Sequence, residues 1–495
     1  MSHLIKKNKK IKKIINLFLY TFLIFTIALS TINYDGNKFI IFTYAILINL
    51  IFINAFKKNS YFFEFFFGIL LWLGFWIKLI FIINYYSYAF FEGAGSTYEN
   101  VSLEKRLIEI DQALIVSILA FISYLSACLL KDFFFKKKII CDIDYLNLNK
   151  SKTFIIIQDI LIACFVIVVF FTSYFNIEHL IYQRGLKSQS EFNFIINGVI
   201  KWVLLFGFSS FVCFFIFINL KNKKKIYQMS LISILETFVS SLSYLSRGMI
   251  FNSLSIVYGL YKSNKFYNLQ LKFKFFLIYF ITIFIFFFIS VSSINYLRHN
   301  YFFYNIVDNE KKLKIFDKKD KIIVEKQYDT FNKAFTEFYF LAINRWVGID
   351  AVLSASSKKD KNWNTLVDSF KEKYDTTKLP YYERIIQLRE TKVDHQQLNY
   401  GITTPGIISF LFYSGSKIFL IFSFFILSFF MLLFEKFILN KTTNLILCAL
   451  IMQQVAYRLA HFGYMPLNSY MFFGTIILTV LIHQLLLYLF KKIDL

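Results

Sequence analysis

"KKNKKIKKIINLFLYTFLIFTIALSTIN", residues 6–33, sets a block of lysines against 20 residues, 14–33, that carry no charge. A run of that length matches the hydrocarbon thickness of a bilayer, and lysines beside it belong on the cytoplasmic side. The run has no small-residue cleavage pattern, so it is expected to be a first span rather than a secretory leader. The pattern recurs along the chain. Of 495 residues, 57% are hydrophobic and 21% aromatic, and only three are proline. The apolar residues fall in long runs, which reads as an all-α polytopic membrane protein and excludes an ordinary soluble domain.

The 66 phenylalanines, with abundant Ile, Lys, Asn and Tyr, have the bias of an AT-rich coding sequence. Aromatic density alone therefore carries no argument. The same bias inflates lysine, so the net charge of +24 does not call for a nucleic-acid partner. Five cysteines, Cys128, Cys141, Cys164, Cys213 and Cys448, lie in apolar runs or a short loop and form no readable disulfide framework.

Twelve spans are expected, at about 14–33, 38–56, 61–84, 111–130, 153–175, 193–219, 227–245, 248–261, 274–294, 407–434, 443–465 and 468–490. The eighth is short, and the tenth is expected to begin outside the hydrocarbon. With the N-terminus inside, every inside segment carries lysine: Lys6–Lys13, Lys57–Lys58, Lys136–Lys138, Lys221–Lys225, Lys262–Lys274, Lys436–Lys441 and Lys491–Lys492. The short outside loops hold little beyond Lys38, Lys105, Arg106, Arg184 and Lys187. This asymmetry places both termini in the cytoplasm. Three regions follow: a bundle of spans one to nine over 1–294, a polar outside segment of roughly 110 residues over 295–406, and spans ten to twelve over 407–495. In the polar segment, "AFTEFYFLAINRWVGIDAVLSA" (334–355) has the apolar spacing of an amphipathic helix, with Arg345 within one stripe, and is expected on the outer membrane surface.

Four cations fall at one depth in the outer half of the expected bundle: Lys78, Lys201, Arg247 and Arg458. Intramembrane charges are costly and commonly face a cavity or a partner, so four of one sign suggest an anion site open to the outside. A lysine near a span end can also simply snorkel, which suits Lys78 equally well. Arg247 stands in "SLSYLSRGMI" (241–250), where a small-residue turn joins spans seven and eight. Gly248 would admit close backbone approach, and the start of span eight adds partial positive charge beside the guanidinium. A phosphate or diphosphate suits that combination. Glu236, deeper in span seven, reads as a buried partner for a cation.

The outside histidines are His179, His299, His395 and His461. A lone loop histidine is commonly just solvated. His395, which follows Asp394, and His461, three residues after Arg458, are candidate general bases near neutral pH. Two acidic pairs, Asp142 with Asp144 and Glu109 with Asp111, are too short to define a metal site. The second resembles the acidic pair of metal-using lipid-sugar glycosyltransferases. It would serve equally as the acidic start of a helix. The chain has no Walker loop, dinucleotide fingerprint, HExxH or CxxC. Neither cofactor nor metal is expected, and any reaction must draw on an activated substrate.

The layout resembles the O-antigen polymerase family, the oligosaccharide repeat-unit polymerases of the Wzy type. The likeness rests on Arg247-Gly248 after an apolar run, "IYQRG" at 181–185, "INRWVGIDAVL" at 343–353, "TPGIISFLFYSGS" at 404–416, and one large late outside loop. It implies a GT-C-like glycosyltransferase bundle in the bacterial cytoplasmic membrane. The substrate would be an undecaprenyl-diphosphate-linked oligosaccharide, the solvent membrane lipid, and a further partner a chain-length regulator. Growing chain on its lipid diphosphate would be the donor, and a hydroxyl of a new repeat the acceptor. Arg247 and Arg345 would neutralise the leaving diphosphate. Arg184, Arg298, Arg458, Lys201 and Gly248 would bind phosphate or sugar, and His395 or His461 would take the acceptor proton, with Asp394 or Glu383 as further candidates. O-antigen ligases share the layout. A lipid-linked oligosaccharide flippase also has about twelve spans, but it would show two similar halves, and no such repeat is present here.

Overall fold

The computed structural model describes residues 2–57, 59–85, 103–134, 152–183, 190, 192–308, 346–357, 361–372, 381, 404–463 and 466–493. Among them there is no strand. The helices are α1 (Ser2–Asn33), α2 (Lys38–Ala55), α3 (Phe62–Asn84), α4 (Leu103–Phe134), α5 (Lys152–Glu178), α6 (Phe194–Ile218), α7 (Lys223–Ser243), α8 (Ile250–Tyr267), α9 (Phe273–Asp308), α10 (Ile349–Ser357), α11 (Trp363–Lys371), α12 (Gly406–Leu411), α13 (Lys417–Thr442), α14 (Leu445–Ala460) and α15 (Pro466–Ile493). Eight described segments are long and apolar enough to cross a membrane: all or part of α2 to α6, α9, α13 and α15. The chain is an all-helical, multi-pass membrane protein.

Asparagine sets most of the helix starts. Asn37, Asn193, Asn222, Asn362 and Asn444 each accept a hydrogen bond from an amide in the first turn of the helix that follows. A short side-chain carbonyl does this where the first amides lack intrahelical partners. Seen from its lysine-rich start, α1 leads to a far end, where Asn33 donates to Asn84 at the end of α3 at 2.8 Å. At the same end Tyr34 donates to Asp111 at 2.8 Å and the Asn37 amide donates to it at 3.1 Å. Asp111 is thus a brace for the α1–α2 turn.

Eight of the twelve expected spans coincide with the eight long apolar segments; the described helices at the first, seventh, eighth and eleventh do not reach that length and hydropathy. Three expectations also change in detail. Span eight is not short: α8 runs 18 residues to Tyr267, closed by Asn268 in the left-handed region (φ 51). Span ten, read as one run from 407, is two helices. Gly415 (φ 71) breaks it, and Ser416 caps α13 by accepting from the Phe419 amide. The helix expected on the surface at 334–355 starts at Ile349 in its described part and is buried in the bundle. Small residues on Ala351, Ser354 and Ala355 let α10 pack against α4 and α12, and the Ser409 hydroxyl donates to the Ala351 carbonyl at 2.9 Å. Residues 334–345 lie outside the described residues.

Two helices contain a π turn, Trp72–Ile77 in α3 and Val203–Gly207 in α6. Such turns free a backbone carbonyl from the helix ladder. Tyr44 uses the first by donating to Phe75 O at 2.8 Å, and Asn252 uses the second by donating to Leu205 O at 3.1 Å.

The near end is closed by buried charge. The Glu435 carboxylate on α13 accepts from the Phe62 and Phe63 amides, each at 2.8 Å, and so caps α3. Lys131 on α4 donates to Glu64 at 2.8 Å, with side chains 2% and 1% exposed. Breaking one side of a buried pair strands the other charge. Lys131→Met is therefore expected to destabilise the protein by about 3–5 kcal/mol, and Lys131→Met with Glu64→Gln to recover most of that. A thiol-reactive dye measures it in detergent in a background with Cys141→Ser and the exposed Cys164→Ser, because Cys128, Cys213 and Cys448 are buried and become reactive on unfolding.

Candidate functional site

The turn between α7 and α8 begins the site. Three amides close it: Tyr244 donates to Ser240 O at 2.9 Å, Leu245 to Leu242 O at 3.2 Å, and Ser246 to Ser241 O at 3.0 Å. The reversal falls on Leu245, which sits at φ 50, not on Gly248. A leucine held there is strained and persists only where its surroundings fix it. Here Asn176 on α5 does so. Its side-chain amide donates to Ser243 O and Ser243 Oγ, both at 2.9 Å, and to Tyr182 O at 3.1 Å, while its own side-chain oxygen accepts from the Tyr182 amide at 3.0 Å. One buried asparagine thus joins the α7 terminus to segment 181–183, the residues just before Arg184.

Arg247 opens a single 3-10 turn, Arg247–Met249, which runs into α8. Arg247 therefore stands at a helix N-terminus, where partial positive charge accumulates. Arg247 and Gly248 are both half-buried. Lys201 comes to the same corner: its ammonium lies 4.2 Å from the centre of the Tyr182 ring, and Tyr182 packs on Tyr244 at 4.4 Å.

At the second residue of α8, Phe251 lies 6.0 Å from Trp346 and 6.5 Å from Tyr457, measured between ring centres. Tyr457 stacks on His461 at 4.2 Å, and the His461 Nδ1 is 3.0 Å from the Tyr457 carbonyl. Because a carbonyl only accepts, Nδ1 carries the hydrogen in this arrangement and Nε2 is the basic nitrogen. Arg458, next to Tyr457, lies over the Phe472 ring at 5.8 Å. The neighbouring strap is docked tightly. The Gly406 amide donates to Phe462 O at 2.8 Å, and Gly406 (φ 73) lies where a Cβ would come 2.8 Å from Ala460 O.

Lys78 does not join this set of cations. Its ammonium is 2.6 Å from Asp350 Oδ2 and 3.3 Å from the Trp346 carbonyl, so it anchors α10 to α3. The expectation of an anion ligand or a snorkelling lysine is replaced by a buried ion pair. Glu236 also departs from expectation. It accepts from Ser209 at 2.9 Å and Ser240 at 3.1 Å, two neutral hydroxyls, rather than pairing with a cation. Asn252 donates to Ser209 at 3.2 Å, and Gln454 donates to Asn252. All these donors point toward the carboxylate. The chain links α7, α6, α8 and α14 directly beneath the helix ends that bear Arg247 and Arg458.

Of the sequence candidates, the fold brings Arg247, Gly248, Lys201, Arg458 and His461 to the far end. Arg298 lies on α9, whose backbone alone is described there. Arg184, Arg345 and His395 lie outside the described residues, as do Asp142, Asp144, Glu383 and Asp394. Among the described residues no group of three or more His, Cys, Asp or Glu forms a metal cluster. Asn176, Phe251, Trp346, Tyr457 and the Lys78–Asp350 pair are additions from the structure. No local pattern announced them, because their partners are distant in sequence. No family model matches the chain, and neither does any curated protein or solved structure.

Proposed function

We propose that the chain is a membrane glycosyltransferase that joins oligosaccharide repeats carried on undecaprenyl diphosphate into a surface polysaccharide. The observation that carries this reading is the far-end cluster. Arg247, in the 3-10 turn that starts α8, is four residues from Phe251, and Arg458, in the last turn of α14, is next to Tyr457, whose ring neighbours that of Phe251. Cations there suit a diphosphate, and aromatic faces beside them suit the apolar faces of sugar rings.

In this reading the lysine-rich near end faces the cytoplasm with both termini, in the cytoplasmic membrane of a bacterium. The far end faces outward, where flipped repeats are found. Arg247 and Arg345 stabilise charge on the diphosphate as the bond to the anomeric carbon breaks. Arg458, Lys201, Arg184, Arg298 and Gly248 bind phosphate or sugar around it. The acceptor proton goes to a base in the same cluster, for which His461 and His395 are the sequence candidates. Energy comes from the sugar–diphosphate bond, so the reaction calls for no nucleotide and no metal. A chain-length regulator is the expected protein partner.

Deleting the gene and separating surface glycans on a gel tests this. The expected result is loss of the ladder with a single-repeat band retained: repeats are made, flipped and transferred but not joined. Loss of every repeat, with polymer left on the lipid carrier, would identify a ligase. An unchanged ladder would remove the chain from polymer assembly and leave transport as the reading.

A further inference from the structure

Asp350 has no part in the expectations drawn from sequence, and its surroundings are unusual. Its Oδ2 is held by Lys78 at 2.6 Å, with side chains 15% and 2% exposed. Its Oδ1 is buried and has no hydrogen-bond partner among the described residues. A buried carboxylate oxygen left unmatched carries a desolvation penalty, and in native proteins such atoms call for an explanation: a water, an ion or a catalytic role. The pair is also fixed in place. The same lysine donates to the Trp346 carbonyl, and the Trp346 ring meets Phe251, one turn from Arg247. Lys78 therefore holds the carboxylate in a fixed orientation near the candidate diphosphate site, with one oxygen uncommitted.

We propose that Asp350 is the general base of the glycosyl transfer, in place of His461 or His395. This rests on the glycosyltransferase reading. An acceptor sugar hydroxyl supplies the missing hydrogen bond to Oδ1. As its oxygen forms a bond to the anomeric carbon, its proton passes to Oδ1. The bond from the anomeric carbon to the phosphate oxygen breaks, and its electron pair stays on the diphosphate, beside Arg247. The proton on Asp350 then returns to water. Lys78 is a positioning residue in this scheme.

The test uses the full-length protein in proteoliposomes, with lipid-linked repeats extracted from the deletion strain as substrate. Asp350→Asn keeps an oxygen for Lys78 to donate to but cannot hold a proton. It is expected to melt several degrees below wild type, because buried Lys78 loses its counter-charge, yet to fold, and to form polymer at least about 100-fold more slowly, the usual scale for losing a general base. Asp350→Asn activity within about threefold of wild type would overturn the proposal and leave a water as the explanation for Oδ1. If that variant does not accumulate, Lys78→Met with Asp350→Asn, which leaves no buried charge alone, is read in its place against the same threshold. The exchanged pair, Lys78→Asp with Asp350→Lys, separates chemistry from anchoring. It rebuilds the ion pair with the carboxylate moved to α3, and is expected to stay inactive. Recovery of polymer by the exchange would show that Asp350 is only an anchor. Wild-type protein that forms no polymer from this extract would overturn the glycosyltransferase reading itself, an outcome visible before any variant is made.

Discussion

Arg247→Lys is expected to lower polymer formation by about 100-fold while leaving the protein folded. The lysine keeps a positive charge near the α8 N-terminus but not the planar fork that grips two oxygens of a diphosphate. A guanidinium that stabilises the leaving group acts on charge that grows in the transition state, and removing one such donor typically costs about 10²–10³ in turnover. The loss should therefore appear in kcat more than in KM. The turn is closed by the Ser240, Ser241 and Leu242 carbonyls and by Asn176. Thiol-dye melting should accordingly match wild type. Arg247→Lys protein that gives polymer of normal length and amount would remove Arg247 from the leaving-group role.

Much of the helical layout was legible because lipid imposes a single strong rule: every backbone group must be satisfied within its own helix, so a span is a long apolar run. The run expected at 38–56 is α2, Lys38–Ala55, and the run at 274–294 is the apolar part of α9. The rule weakens where a helix is surrounded by protein. In α7, Ser230, Ser233, Glu236, Thr237, Ser240, Ser241 and Ser243 are all buried. Its neighbours supply hydrogen bonds, and it does not reach the hydropathy of the eight clear spans. The rule also cannot see a break inside an apolar run. "YSGS" at 413–416 held the signal, a glycine able to take positive φ followed by a capping serine, but apolar residues on both sides masked it.

The site was legible only as a set of cations. Composition places Lys78, Lys201, Arg247 and Arg458 at one depth but says nothing of what each one meets. Lys78 is claimed by Asp350, 272 residues away in the chain. Lys201 rests on Tyr182, and Arg458 on Phe472. Burial does not forbid a cation in the membrane. It requires a partner, and the choice of partner is a tertiary fact. The same holds for the strap at 346–350, whose apolar spacing marked it as amphipathic while its role is to insert.

Gly348→Ala is expected to dislodge that strap and to cost both stability and activity. A Cβ on Gly348 would lie 1.9 Å from the Gly74 carbonyl oxygen, and one on Gly74 would lie 2.2 Å from the Val347 carbonyl oxygen. Both obstacles are backbone, so no side chain can swing aside. Gly74 stands inside the π turn Trp72–Ile77, and Lys78 follows directly after that turn. Two glycines therefore let the strap approach α3 closely enough for the Lys78 ammonium to reach both Asp350 and the Trp346 carbonyl. Forcing the strap away separates the ion pair and leaves Lys78 buried without its counter-charge, a loss of about 3–5 kcal/mol. It also withdraws the Trp346 ring from Phe251, next to the Arg247 turn. Thiol-dye melting should fall by several degrees, and polymer should fall to the level of a deletion. Adding Lys78→Met separates the two effects. The double variant should recover part of the stability, because the more deeply buried charge is gone and Asp350 moves away with the strap, but none of the polymer, because the strap is still displaced. Polymer regained along with stability would show that the strap is needed only to neutralise Lys78.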